Sequence, residues 1–290
     1  MEEFIFKAIG TSWSINVDDT TLSNEDKQTV LDYVSKFEIR FSRFLLSSEV
    51  NEFIDKAAGS YEISEEFAVL LKMADRLRWL TNGVYDPAAG ELLEKAGYDS
   101  DYTLKTSADT KNFSLPHWSL KERELTIDGP IHLDLGGIGK GYCIDRVSDL
   151  LKELGYQNFL VDAGGDMFGT SKADGSPWNI AIQQPGHPNI AAGITPLYNQ
   201  ALAVSDSFRR RWGNWHHIVD AQNNRPADNI VGAAAISPSA WYADCMTSVL
   251  FLAPPEKYPL AAHELEANYL IFDTDKTCIR GPNWTGKLFE

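Results

Sequence analysis

Four short stretches hold residue types able to do chemistry. The first is DLGGIGKGYCID, Asp134 to Asp145. Gly136, Gly137, Gly139 and Gly141 let a backbone approach a ligand closely. Their N–H groups precede a helix, where the dipole favours an anion, and Lys140 adds a positive charge. The second is ADCMTS, with Asp244 and Ser248 four residues apart and so on one helical face. A carboxylate and a hydroxyl there could share a hard cation such as Mg²⁺. The third is NWHHIVD. In a strand His216 and His217 point to opposite faces, so one at most can serve a given pocket as a base. The fourth, FRRRW, is a positive cluster that could meet phosphate or an acidic partner.

Each has a plainer account. The glycine loop could be a tight turn with Lys140 in solvent. Asp244 and Ser248 could belong to a solvated helix start, the histidines to the surface and the arginines to a strand end. The loop is not Walker A, because Asp134 stands at the first glycine position and Tyr142 beyond Gly141. Nor is it a Rossmann fingerprint, because Tyr142 fills the third glycine position.

The elements that must position these residues are strands and helices mixed without steady βαβ alternation, so the expected class is α+β. KAIGTSWSINV alternates as a strand. Ser23 and Asp26 form a capping box before Val30, Leu31, Val34, Phe37 and Phe41 at helical spacing. FSRFLLSSEVNEFID reads as a loop and a short helix. Ser64 opens a second helix that Asn82-Gly83 ends. GVYDPAAGELLEKAGYD reads as a loop with one helical turn, and ELTI-DGP-IHLDL as two strands around an Asp-Gly turn. Ile144 to Leu154 is an amphipathic helix stopped by Gly155. FLVDAGGDMFG is a strand broken at a double glycine, and WNIAIQQP and ALAVSDSF are further strands. Ala240 to Leu252 is a helix, and YLIFDT with TCIR a closing hairpin. Residues 1–290 form one domain, or two subdomains packed without a linker.

Composition narrows the partners. With 41 acidic against 26 basic residues, the formal net charge is −15. Such a surface repels nucleic acid and anionic membrane, so neither is expected as a partner. The longest apolar run is too short to cross a bilayer. Cys143, Cys245 and Cys278 show no CxxC, so reduced thiols are expected. The N-terminal MEEFIFKAIGTSWSINV resembles no signal peptide or lipoprotein leader, so a cytoplasmic protein is expected unless an exported form was trimmed.

Together the motifs resemble one family, the FAD:protein FMN transferases or ApbE family. IGTSWSI is similar to its N-terminal strand, FSRFLLSSEVNEFI to its F-S-x-[FY] segment, and GVYDPAAGEL to G-x-[FY]-D-P-[TA]-x-G-x-L. DLGGIGKGYCID resembles D-L-[GS]-[GA]-[IV]-[AG]-K-G-Y-x-x-D, and FLVDAGGDMFG the turn that follows. SDSFRRRW…HHIVD and ADCMTSV resemble the last two motifs. The resemblance implies an ApbE-like fold with antiparallel sheets and packed helices around a flavin-nucleotide cleft that binds FAD and Mg²⁺. A threonine or serine hydroxyl of a second protein would attack the FMN-side phosphorus, and AMP would leave. His217 is the implied base. Gly137, by its carbonyl, with Asp244 and Ser248 are the implied metal ligands. Ile9, Phe44, Ala89, Gly90, Glu91, Asp134, Lys140 and Val219 are the implied nucleotide-lining positions. Water in place of the hydroxyl would make the protein an FAD pyrophosphatase, and binding without turnover a flavin carrier.

Several positions depart from the family pattern. Ser248 stands for threonine, Asp206 for glycine, Ala221 for proline and Phe44 for a frequent tyrosine. Asp206 would put a carboxylate near the phosphate cleft, where it could weaken FAD binding or add a metal ligand. The acceptor pattern D-[GS]-x-x-[ST]-[GA]-T has no convincing copy here, so the acceptor is expected to be a separate polypeptide.

Overall fold

The structure, a computed structural model, describes residues 2–274 and 277–289. Its centre is an eight-stranded sheet. The strands are β1 (Glu2–Ala8), β2 (Thr11–Val17), β3 (Phe159–Ala163), β4 (Asp166–Gly169), β5 (Gln200–Asp206), β6 (Gly232–Ser237), β7 (Asn268–Phe272) and β8 (Cys278–Arg280). Their order in space is their order in the chain, and every neighbouring pair is antiparallel. The helices are α1 (Asn24–Phe41), α2 (Glu65–Leu80), α3 (Gly90–Ala96), α4 (Gly139–Glu153), α5 (Ala240–Leu252) and α6 (Tyr258–Glu264).

The middle strands read as nearly continuous apolar runs because both faces of the sheet are covered. On one face Trp13, Ile15, Val161, Ala201, Ala203, Ala233 and Ala235 join the apolar sides of α1, α2, α4 and α5 in one core. On the other, Met167, Leu202, Ile236, Leu270 and Phe272 pack against Trp178, Ile182 and Leu197 of a long hairpin. The alanines of β5 and β6 let α5 lie close to the sheet, and α5 is accordingly buried on most of its surface.

Local signals set the helix ends. Ser23 Oγ accepts from Asp26 N at 3.0 Å, and Ser64 Oγ from Phe67 N at 3.2 Å. After α2 the chain turns at Asn82 and Gly83, with φ of 54° and 85°. Asp145 of α4 caps α5 from outside. Its carboxylate accepts from Ala240 N at 2.7 Å, Trp241 N at 3.0 Å and Ser239 Oγ at 2.6 Å.

Three sequence expectations change. KAIGTSWSINV is not one strand; it turns at Ile9-Gly10, with φ of 51° and 65°, to make the β1–β2 hairpin. IHLDL is no strand, and ELTI (Glu124–Ile127) pairs instead with Trp118–Lys121 and Gly59–Glu62. The backbone of IHLDL bonds to loops: Ile131 N to Phe53 O, Gly90 N to His132 O and Asp134 N to Pro87 O. Alternation alone could not separate such an extended loop from a strand. The helix expected from Ile144 begins earlier, at Gly139, so the glycine loop forms its first turn. The α+β class and the double-glycine hairpin stand as read, and so does the closing hairpin apart from its tip, where 275 and 276 lie outside the described residues.

Candidate active site

A two-chambered cleft opens where the β1–β2 turn, the end of α1, the start of α4 and the β5–β6 connection meet. One chamber, about 340 Å³, is polar; its lining includes Asp134, Gly137, Lys140, His217, Asp244 and Ser248. The other, about 480 Å³, is largely aromatic, with Phe37, Phe41, Phe44, Tyr98 and Tyr102 in its walls. Asp134, Gly136, Lys140, Arg210 and His217 belong to both and mark the junction. Volumes of this size suit small-molecule and cofactor sites.

The polar chamber is built on a close approach of α4 and α5. A side chain on Gly141 would run into the Ala240 carbonyl and lie 2.7 Å from Asp244 Cβ, so only glycine fits. Gly141 N donates to Asp244 Oδ2 at 2.9 Å. One turn on, Ser248 Oγ donates to Gly137 O at 3.2 Å. A carboxylate, a hydroxyl and a carbonyl thus converge as hard oxygen donors. Among the described residues no cluster of three or more His, Cys, Asp or Glu could hold a metal, so a cation here would complete its shell from water and substrate. Burial raises the pKa of Asp244, with Lys140 and the Gly141 N–H acting against that rise.

The structure corrects the plainer account of the glycine loop at Lys140. Lys140 is not in solvent: it pairs with Asp166, itself 1% exposed. Burial pushes the Lys140 pKa down, while Asp244 and Asp162 act to hold its proton. Yet the loop is not an open cradle of amides. Gly136 N is taken by Asp134 Oδ1, Ile138 N and Gly139 N by Leu135 O, and Gly141 N by Asp244.

The two histidines separate, His216 ending a short strand and His217 standing in the bend after it. His216 is buried with both nitrogens used, Nε2 against Ala227 O at 2.7 Å and Nδ1 accepting from Ile218 N at 3.2 Å. That fixes its tautomer, with the proton on Nε2. His217 points into the cleft, and its Nδ1 has no protein partner. Burial, then Arg210, His216 and Lys140, lower its pKa to about 3. It is neutral at physiological pH, with a lone pair available.

A profile of the ApbE family matches residues 9–271. The chain belongs to the ApbE family. It is 24% identical over 274 residues to the FAD:protein FMN transferase of Escherichia coli K12, covering 87% of this chain and 78% of that one. The Haemophilus influenzae protein of the same name is 25% identical, with 93% and 86% covered. In fold the chain is similar to the crystal structure of the ApbE protein of Thermotoga maritima, with a TM-score of 0.85, 25% identity and 97% of each chain covered.

Of the ApbE positions read from the sequence, Ile9 and Phe44 line the aromatic chamber, Ala89 and Val219 the polar one. Gly90 and Glu91 line neither. Gly90 packs on the His132 backbone, and Glu91 pairs with Lys95 at 3.1 Å. Asp206 lines the polar chamber, as expected, and also serves its own loop. Its Oδ1 accepts from Phe208 N at 2.8 Å and Arg209 N at 2.7 Å, and Oδ2 faces Arg209 Nε at 3.3 Å. Nothing in the sequence singled out Arg43. Buried behind the aromatic wall, it pairs with Asp134, donates to Tyr98 O at 2.6 Å and stacks on Phe44 at 4.2 Å. Tyr98 and Tyr102 were equally hidden, since their 5.6 Å contacts with Phe44 join segments far apart in the chain.

Proposed function

We propose that this ApbE-family protein is an FAD:protein FMN transferase that moves the FMN half of FAD onto a threonine or serine hydroxyl of a separate acceptor protein. The observation that carries this reading is His217, whose unpartnered Nδ1 sits at the junction of a polar and an aromatic chamber. The names of relatives similar over most of the chain support it. The aromatic chamber suits a planar ring system, and the polar chamber a diphosphate.

In this reading the acceptor hydroxyl attacks the FMN-side phosphorus, and the bond from that phosphorus to the AMP oxygen breaks. The hydroxyl proton passes to His217 Nδ1, and AMP departs with the bonding pair. Lys140 and Arg210 hold the diphosphate charge at the junction. An arriving anion also offsets the two cations that depress the His217 pKa, so the imidazole becomes a stronger base once substrate is bound. Asp244, Ser248 and the Gly137 carbonyl are the positions that would hold Mg²⁺. Bound there, Mg²⁺ supplies charge neutralisation to the diphosphate.

The test is mass spectrometry of an acceptor domain carrying the D-[GS]-x-x-[ST]-[GA]-T pattern, incubated with the protein, FAD and Mg²⁺. A gain of one FMN, abolished by EDTA, is the expected result. Free FMN and AMP with an unmodified acceptor would favour pyrophosphatase action instead, and intact FAD a carrier.

A further inference from the structure

We propose that the Tyr85 hydroxyl donates a hydrogen bond to an oxygen of the bound diphosphate; this deepens the transferase reading and rests on it only in taking FAD as the natural diphosphate. Tyr85 follows α2, its N–H held by Thr81 Oγ1 at 3.0 Å. Its ring lies against the metal-candidate loop. A Cβ on Gly137 would be 3.2 Å from Tyr85 Cε2 and 3.1 Å from Ser248 Oγ. The side chain is 8% exposed, it lines the polar chamber, and its hydroxyl has no protein partner.

Among the described residues, Tyr85 and His217 are the two lining the polar chamber that carry a buried, unpartnered side-chain polar atom. A buried hydroxyl without a partner is costly, so one retained here implies a partner that arrives with the ligand. A phenylalanine would fill the same ring volume and leave nothing unpaired. The partner is an acceptor. A phenol is protonated at neutral pH, and its O–H can donate to an anionic oxygen. The loop amides expected to fill this role are largely committed elsewhere, which leaves the phenol as a free donor beside Gly137.

The experiment is calorimetric titration of the whole protein and its Tyr85→Phe variant with ADP, each with Mg²⁺ and with EDTA, and with riboflavin as a phosphate-free probe. ADP affinity should fall roughly ten- to hundredfold in both conditions, the range for a hydrogen bond to a charged acceptor. Riboflavin affinity should not change. The melting temperature should hold or rise, because the variant removes an unpaired buried group; a fall would assign Tyr85 a structural role and overturn the proposal. Equal ADP affinities would also overturn it, as would a loss confined to the Mg²⁺ arm, which would place the hydroxyl on the metal's water. A tyrosine-dependent loss of ADP binding in a protein that never modifies an acceptor would defeat the transferase reading and leave this assignment standing.

Discussion

The two chambers of the cleft differ in how they are assembled. The polar chamber draws its chemistry from three stretches far apart in the chain, the α4 loop, the middle of the β5–β6 connection and the first turns of α5. The aromatic chamber draws its rings from two short stretches, Phe37 to Phe44 at the end of α1 and Tyr98 to Tyr102 after α3. Groups that must converge on one phosphate from several sides are brought together by tertiary packing, here of α4 against α5. A hydrophobic wall needs only area, and any element that passes by can supply it.

This division of labour sets the expected outcome of each perturbation. His217→Ala should leave FAD binding nearly intact and slow FMN transfer roughly a hundred- to ten-thousandfold, the usual range for a lost acid–base group. Unchanged transfer would remove His217 from the chemistry and blur the two chambers. Gly141→Ala should act on the polar chamber through the fold. With Asp244 Cβ 2.7 Å from the added carbon, α4 and α5 must part, at a cost of about 1–3 kcal/mol read by denaturant titration. Phe44→Ala should weaken flavin nucleotide binding about tenfold while turnover at saturation holds, in line with the loss of a stacking ring. A fall in saturated turnover would show that the aromatic wall also aims the phosphate.

Acid should find the polar chamber first. His217 titrates at about 3 when folded against 6.5 when unfolded, so between those values the unfolded chain holds more protons. Stability present above about pH 6.5 is therefore lost as pH falls toward 3, and the lowered pKa of His216 adds in the same sense. His217→Phe should flatten this limb in a series of melts from neutral to acid pH; an unaltered limb would mean that His217 is hydrated in the free protein. The smallest effect on flavin binding belongs to Asp206→Gly. It removes two loop hydrogen bonds to a carboxylate, at 2.7 and 2.8 Å, so the melting temperature should fall with little change in FAD affinity.

What the sequence disclosed was local geometry and family pattern. Asp244 and Ser248 were legible because helical spacing dictates a shared face; alternation allowed one of the two histidines to face a pocket, and the family resemblance pointed to His217. The loop hydrogen bonds of Asp206 were not, since a carboxylate that lines a cleft reads alike whether or not it also caps its own loop. Arg43, Tyr85 and the Tyr98–Tyr102 pair stayed hidden because partners 52 to 91 residues away define them. IHLDL misled for a related reason: its hydrogen bonds go to loops, and alternation does not say where a backbone bonds.

The sheet runs in chain order, yet residues 18–158 intervene between β2 and β3. The β1–β2 hairpin can form as soon as it is synthesised, but its pairing partner comes much later, while β3 to β8 follow one another closely. Closing that long excursion is an entropic barrier that short-range pairings do not face. The hairpin carries Ile9 and Gly10, which close one side of the cleft. The catalytic pocket is therefore expected to be among the last parts of the molecule to mature, and a chain paused before hairpin docking would be structured and still inactive.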